Sequence, residues 1–509
     1  MSHWPILPFL LPFTAAVLLL LLHRAPLAVQ RGVSLAAALL GAGASVALLC
    51  QAAGGGVQVY ALGNWPAPYG IMLVGDRLAA LMLVTLYALA LPALLSACAG
   101  LDACGPWFHP LFQLQLAGLA AAFLTGDMFN LFVAFEILLL ASYALLAHGG
   151  GKAAIGAGLR YVILNLAGSA MFLIALAILY ATLGTLNMAD MAVRLREIAP
   201  ADVPLVRVGL LLLVLVFVLK AALFPLAAWL PATYPAAAPA IACLFAILTK
   251  VGIVALLRLD MTALAAMPQG RALLQPWLPL LALATIAYGS VSALAAANLA
   301  RLGAGLLLIS SGTLLFAIAN GNVGMISALL FYLPQSTLVT GGFFLLAGAI
   351  AIRRGDAADR LIRGPVLRQR TAIGLAFLTL AVAVSGLPPL SGFLGKLMLL
   401  QAVDGGQAML WWPALLGSGL IIALVMARAG SILFWEPEGH ADSKAEHEPV
   451  GRQRALALAL LVLVSPAYAI CAAPIAAYAD ATAQQLIAGT PYASASLGTA
   501  PARRDSRPG

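Results

Sequence analysis

Three lysines stand where charged residues rarely occur. Lys220 lies within LLLVLVFVLKAALFPLAAWLP, Lys250 within AIACLFAILTKVGIVALLRL and Lys396 within LPPLSGFLGKLMLLQA. Glu136, in MFNLFVAFEILLLASYALL, is the one acid set well inside such a run. A charge at membrane depth costs roughly 2.5–3.5 kcal/mol on insertion scales, so each of these groups needs a partner, water or a task. The choice of lysine matters, because a buried lysine can release its proton near neutral pH whereas arginine keeps its charge. The chain has five lysines, and its twenty-two arginines fall mostly in loops. Burial disfavours the charged form of both Lys and Glu, and pairing the two opposes that effect. A lysine that gains or loses a glutamate partner can therefore bind or release a proton. Glu136 and Lys220 fall at comparable depth and form the expected pair; Lys250 is the next station and Lys396 the far one. A basic side chain at a helix end can snorkel to water, which suits Arg258 and Arg301 but not residues with about ten apolar neighbours on each side.

Smaller polar groups accompany the four. Ser142, Tyr143, Asn165, Ser169, Thr249, Ser290, Ser310, Ser311 and Thr313 offer groups that seat water, although each alone equally serves helix packing. His148 stands beside GGGK as a candidate for proton entry or an ordinary loop residue. Asp127 precedes the run that holds Glu136, where a carboxylate suits the positive end of a helix.

These side chains need elements to hold them. The 509 residues are 63% hydrophobic and 9% charged, with mean hydropathy +1.03. Soluble domains are about one-quarter charged, so this composition is that of a polytopic membrane protein. Apolar runs of roughly twenty residues recur near 4–23, 32–50, 77–99, 108–124, 127–147, 159–182, 205–229, 236–258, 273–296, 302–320, 323–351, 371–400, 410–435 and 453–478. The expected fold is all-α with about fourteen transmembrane helices. The first run lacks the basic flank of a signal peptide and reads as a retained helix. From about Thr490 to Gly509 the chain reads as a disordered tail. With the N-terminus outside, inside loops carry fourteen Lys and Arg residues against six outside, before the tail. The loop IRRGDAADRLIRGPVLRQR decides the matter, and both termini are expected outside.

Two spans are interrupted. The seventh meets Pro225 just after Lys220, and the twelfth carries SGLPPLSG, with Pro388 and Pro389, just before Lys396. Proline removes a backbone donor and breaks a helix, and matching breaks in two halves point to a transport site between inverted repeats. Other chemistry is poorly supported. The five cysteines lack metal or redox spacing, and no basic run interleaved with aromatics invites nucleic acid. HADSKAEHE, at 440–448, lacks helical ligand spacing and reads as a solvated inside loop. No nucleophile–base triad, phosphate-binding glycine loop or haem motif appears, so neither an enzyme nor a cofactor is expected.

TGDMFNLFVAFEILLLASYALL, LGTLNMADMA, KAALFPLAAWLPATYPAA with LTKVGIVALLR, and SGLPPLSGFLGK together resemble the D subunit of Mrp-type (Pha-type) multisubunit monovalent cation/proton antiporters. The wider family includes the antiporter-like subunits of respiratory complex I. The resemblance implies two inverted five-helix repeats with discontinuous seventh and twelfth helices. Its boundaries here are 1–107 for three leading helices, 108–258 and 273–435 for the repeats, and 436–509 for an inside loop, a last helix and the tail. It also implies a hydrated axis of charges, with Glu136, Lys220, Lys250 and Lys396 matching the family's motif positions. Partner membrane subunits, H⁺ and Na⁺ or K⁺, and a bacterial inner membrane follow from the same resemblance. A proton-pumping subunit of a redox-driven complex is the alternative, and a membrane subunit with a vestigial channel a third reading. The chain departs from the pattern in its second half. Gln335, Ser336 and Thr340 sit where relatives carry titratable groups, and Arg301 takes a usual lysine position. A path from Lys250 to Lys396 must then use water and hydroxyls.

Overall fold

The computed structural model describes residues 3–149, 151–365, 369–435 and 451–498. The first helices are α1 (Leu7–Leu21) and α2 (Leu27–Ala53), followed by strands β1 (Gln58–Ala61) and β2 (Met72–Gly75). Then come α3 (Arg77–Ala97), α4 (Phe108–Leu124), α5 (Met128–Ala147), α6 (Lys152–Leu183), the short α7 (Met188–Arg196) and α8 (Val203–Lys220). The middle holds α9 (Trp229–Thr233), α10 (Pro239–Phe245), α11 (Leu248–Leu259), α12 (Leu278–Leu294), α13 (Leu299–Asn320) and α14 (Val323–Arg354). The chain ends with α15 (Arg370–Ser385), α16 (Ser391–Gln401), α17 (Gly405–Gly430), α18 (Arg452–Ile470), α19 (Ala472–Ala488) and α20 (Thr490–Leu497).

Among the described residues, eleven helical stretches are long and apolar enough to cross a membrane, and α4, α12 and α15 are shorter apolar helices. Every span expected from the sequence has one of these in its place. The breaks fall where proline demands them. After Lys220 the chain leaves helical geometry through Pro225, and between α15 and α16 it passes Pro388 and Pro389. The freed backbone groups find partners. Phe224 N–H donates to Thr285 Oγ1 of α12 at 2.9 Å, and Leu223 N–H to the Val218 carbonyl at 2.9 Å. Irregular backbone at membrane depth persists only where it is buried and satisfied in this way.

The structure corrects four expectations. The eighth span is not one helix: Ala246 and Ile247 separate α10 from α11, two residues before Lys250. A small antiparallel hairpin, β1 with β2, interrupts the otherwise helical chain between α2 and α3. The chain's end is ordered as far as Leu497 in α20, and Tyr492 is buried; residues 499–509 of the expected tail, and the 440–448 stretch, lie outside the described residues. Arg258 does not snorkel. It is buried, and its guanidinium forms two bonds of 2.8 Å to the Asp76 carboxylate, which also caps α3 by accepting from Ala79 N–H at 2.8 Å.

That ion pair sits beneath the chain's last helices. The Tyr492 ring lies 5.7 Å from the Arg258 guanidinium, the Tyr478 hydroxyl donates to the Arg77 carbonyl at 2.9 Å, and the Arg77 N–H donates to Gln485 at 3.2 Å. Near the opposite ends of α3 and α4, Arg31 makes a second two-point pair with Asp102, at 2.5 and 2.8 Å. Burial pushes the Asp102 carboxyl up, but the Arg31 bonds and charge, with His109, hold it below the usual carboxylate range. Removing one member of a buried pair leaves an uncompensated charge and costs about 3–5 kcal/mol. Arg258→Gln should therefore lower the thermal stability of the detergent-purified protein by that order, whereas Arg258→Gln with Asp76→Asn should recover a large part of it; equal melting of the single variant and the parent would refute the clamp.

Candidate functional site

The side chains singled out for cost are held in three polar groups. The first spans α5, α6 and α8. Asn165 and Ser169 lie four residues apart on α6 and so share one face. Ser169 donates its hydroxyl to the Glu136 carboxylate of α5, and Asn165 Oδ1 accepts from Lys220 Nζ of α8 at 3.1 Å. Lys220 is buried, with its ammonium 5.6 Å from the centre of the Phe135 ring. Glu136 and Lys220 do not meet as an ion pair; Ser169 and Asn165 of α6 bond them separately, while Phe135 of α5 packs directly against Lys220 and Phe217 of α8.

One turn before Asn165 on the same face of α6 is Tyr161, which single-residue reasoning missed. Its hydroxyl is 3.1 Å from Ser142 Oγ, its ring stands edge-on to Tyr143 at 5.1 Å, and it stacks on Trp229 at 5.3 Å. The spacing of 161, 165 and 169 was the available signal.

The second group surrounds Lys250, which is fully buried on α11. Its ammonium donates to Ser310 Oγ of α13 at 2.8 Å, and Ser310 donates to Ser336 Oγ of α14 at 3.0 Å. Thr249 and Ser311 are fully buried with hydroxyls that have no protein partner, while Thr313 bonds the Ile309 carbonyl of its own helix at 2.8 Å. Buried hydroxyls without a protein partner are the usual seats of internal water. Gly252, two residues beyond Lys250, lies against the end of α8. A Cβ there would come within 2.7 Å of Ala221 N and 2.8 Å of Phe217 O, so only glycine lets the two lysine-bearing helices approach so closely.

The third group is Lys396 on α16. It reaches back over the break and donates to the carbonyls of Ser385 at 2.9 Å and Val384 at 3.3 Å. Between this group and the second lies a cavity of about 20 Å³, bounded by Ser310, Tyr332, Gln335, Ser336, Thr340 and Val384. It is large enough for a single water molecule with polar neighbours on several sides. His148 stands apart: it ends α5, with Nε2 3.1 Å from the Leu101 carbonyl and its ring 5.4 Å from Phe108. Asp127 is a cap as expected, accepting from Asn130 N–H at 2.8 Å.

Three buried lysines, each beside a helix break and bonded to neutral oxygens, with the half-buried Glu136 held by a hydroxyl, define a helical membrane protein built like a transporter. Residues 125–422 match the transmembrane family of NADH:quinone oxidoreductases and Mrp antiporters. The chain is 40% identical to the D subunit of a probable K⁺/H⁺ antiporter of Rhizobium meliloti (strain 1021), over 86% of this chain and 87% of that one. It is 32% identical to the D subunit of the Na⁺/H⁺ antiporter of Bacillus subtilis (strain 168), over 98% and 100%. A chain in the structure of the Mrp complex from Dietzia sp. DQ12-45-1b superposes with a TM-score of 0.87 at 25% identity, covering 98% of this chain and all of that one. The chain belongs to the NADH:quinone oxidoreductase/Mrp antiporter transmembrane family.

Asn165 carries the only hydrogen bond seen for the Lys220 ammonium among the described residues. A bond to a charged group is worth about 1.5–3 kcal/mol, and tenfold corresponds to about 1.4. Asn165→Leu should reduce proton flux by about tenfold or more while assembly is kept, as read by a pH-sensitive dye in vesicles. Flux equal to the parent's would show that Asn165 is only packing.

Proposed function

We propose that this chain is the D-type subunit of a multisubunit monovalent cation/proton antiporter, a secondary transporter subunit and not an enzyme. It passes protons along Glu136, Lys220, Lys250 and Lys396 in exchange for Na⁺ or K⁺, the cations named for its relatives. The observation that carries the reading is the run of polar contacts on either side of the step from Lys220 to Lys250, where α8 and α11 pack closely at Gly252. Ser169 with Asn165 links the first two members, Ser310 with Ser336 extends from the third, and one water-sized cavity separates that pair from the carbonyls that hold the fourth. The matched breaks in the seventh and twelfth spans support two inverted repeats, 108–258 and 273–435, meeting along this line. The orientation with both termini outside rests on the Lys and Arg bias of the loops, and the inner-membrane setting on the bacterial relatives.

Glu136 also supports a partner subunit. It is half-buried on α5, on one face with exposed Phe129, Val133 and Leu140. A carboxylate facing acyl chains is unfavourable, so another membrane subunit of the complex covers this face.

Lys220→Ala or Glu136→Ala in the reconstituted complex should abolish cation-dependent proton flux and leave assembly intact. Parental flux in both would sink the transport role. Lys396→Ala separates the halves: a dead variant places the exit in the second half, whereas a silent one beside a dead Lys220→Ala confines proton movement to the first. The family also includes NADH:quinone oxidoreductases, and flux that followed quinone reduction and ignored Na⁺ and K⁺ would favour a redox-driven complex instead.

A further inference from the structure

A polar cleft of about 470 Å³ opens at the end of the bundle where α6 and α13 begin. Arg160 of α6 lines one wall and Asn298 and Arg301, at the start of α13, another; Pro231 and Pro235, which follow the broken seventh span, close it. Both arginines are exposed, and neither forms an ion pair among the described residues. The start of α13 is already satisfied. Asn298 accepts from Arg301 N–H at 2.9 Å, and the Asp359 carboxylate accepts from Ala300 N–H at 3.0 Å. The donors left for a ligand are therefore the guanidiniums and not the helix end.

Two planar guanidiniums on separate elements, facing one concave polar space without an acid, match the oxygens of a phosphate group. Beside the cleft, α6 exposes Ile155, Leu159 and Ile163, an apolar strip on which acyl chains can lie while a headgroup occupies the cleft. We propose that Arg160 and Arg301 form a phosphate-binding site, filled by the headgroup of an anionic phospholipid or by free phosphate.

Occupancy has a direct route to the lysine line. Pro231 and Pro235 flank the segment carrying Tyr234 and follow Trp229, and Trp229 stacks on Tyr161, one residue after Arg160. A phosphate held between Arg160 and Arg301 ties α6 to α13 across that segment. It thereby braces the helix whose Asn165 and Ser169 hold Lys220 and Glu136. The site does not depend on which ion is exchanged or on whether the four charged residues carry protons.

The test uses the intact complex in lipid nanodiscs of phosphatidylglycerol or of phosphatidylcholine, with or without inorganic phosphate. Retained lipid is counted by native mass spectrometry and thermal midpoint is recorded. Arg160→Gln with Arg301→Gln is compared with the parent and with Arg196→Gln, a charge loss on α7. A lipid site predicts that phosphatidylglycerol raises the parent's midpoint and that the double variant alone loses both the shift and one retained lipid. A free-phosphate site predicts that inorganic phosphate raises the midpoint in phosphatidylcholine and that the double variant again loses the shift. Should the double variant fail to assemble, Arg301→Gln alone serves, with the shift reduced. Retention and midpoints in the arginine variants that equal the parent's, in both lipids and in phosphate, overturn the proposal.

Discussion

The fold is organised by the need to bury ammonium groups without carboxylate partners. None of Lys220, Lys250 and Lys396 has an ion pair among the described residues; each gives its protons to a neutral oxygen. Neutral oxygens are scarce in apolar helices, where backbone carbonyls are committed to N–H groups four residues on. An interrupted helix releases some of them. Lys396 uses this directly, since its acceptors are the last carbonyls of α15. Lys220 ends α8 at its break, and Lys250 follows one by two residues. At Lys396 the break and the lysine are thus one feature, whereas Lys220 and Lys250 stand beside breaks and donate instead to side chains of the continuous helices α6 and α13.

Close packing then sets the spacing between stations. Gly252 lets α11 rest on the backbone at the end of α8, which brings the Lys220 and Lys250 elements together where a side chain would hold them apart. On the other side α6 presents Tyr161, Asn165 and Ser169 as one polar stripe in a helix whose opposite face is apolar and exposed. The Arg258–Asp76 and Arg31–Asp102 pairs take no part in this line. They fasten α3 to α11 and α2 to the α3–α4 turn, and so fix the ends of the helices around it.

Much of this was legible in the chain. Span positions follow from apolar run length, and the two proline breaks follow from residues that cannot continue a helix. The lysines were legible because an unexplained charge in such a run is costly. What was hidden depended on tertiary neighbours. Nothing around Ala246 and Ile247 breaks a helix locally, so the interruption before Lys250 was invisible. Arg258 near a helix end had the pattern of a snorkelling residue, and only the fold brings Asp76 to it. From Thr490 the chain looks like a tail in composition, yet Tyr492 of α20 docks on Arg258 of α11, just after Tyr478 and Gln485 dock α19 on α3. The expected direct contact of Glu136 with Lys220 failed for a similar reason: depth along two helices does not reveal that each side chain takes its hydrogen-bond partner from a third helix.

The chemistry of the second half follows from what replaces titratable groups there. Ser310 and Ser336 can each accept one proton while giving up another, because a hydroxyl is donor and acceptor at once. They pass a proton but do not store one. Gln335, beside the same cavity, can orient a water without relaying charge through its amide. On the proposed relay, storage along this stretch therefore falls on Lys250, at the end of the first repeat, and on Lys396 in the second. On that relay, a proton crossing between them would meet two hydroxyls and a water-sized space without resting on an intermediate base. In the structure the Lys250 ammonium donates to Ser310, Ser310 donates to Ser336, and Ser336 donates back to the Leu333 carbonyl of its own helix at 3.1 Å, so its hydroxyl must turn away from that carbonyl before the link reaches the cavity toward Lys396. On the proposed relay, a path without intermediate bases is thus conditional on how the Ser336 hydroxyl is turned.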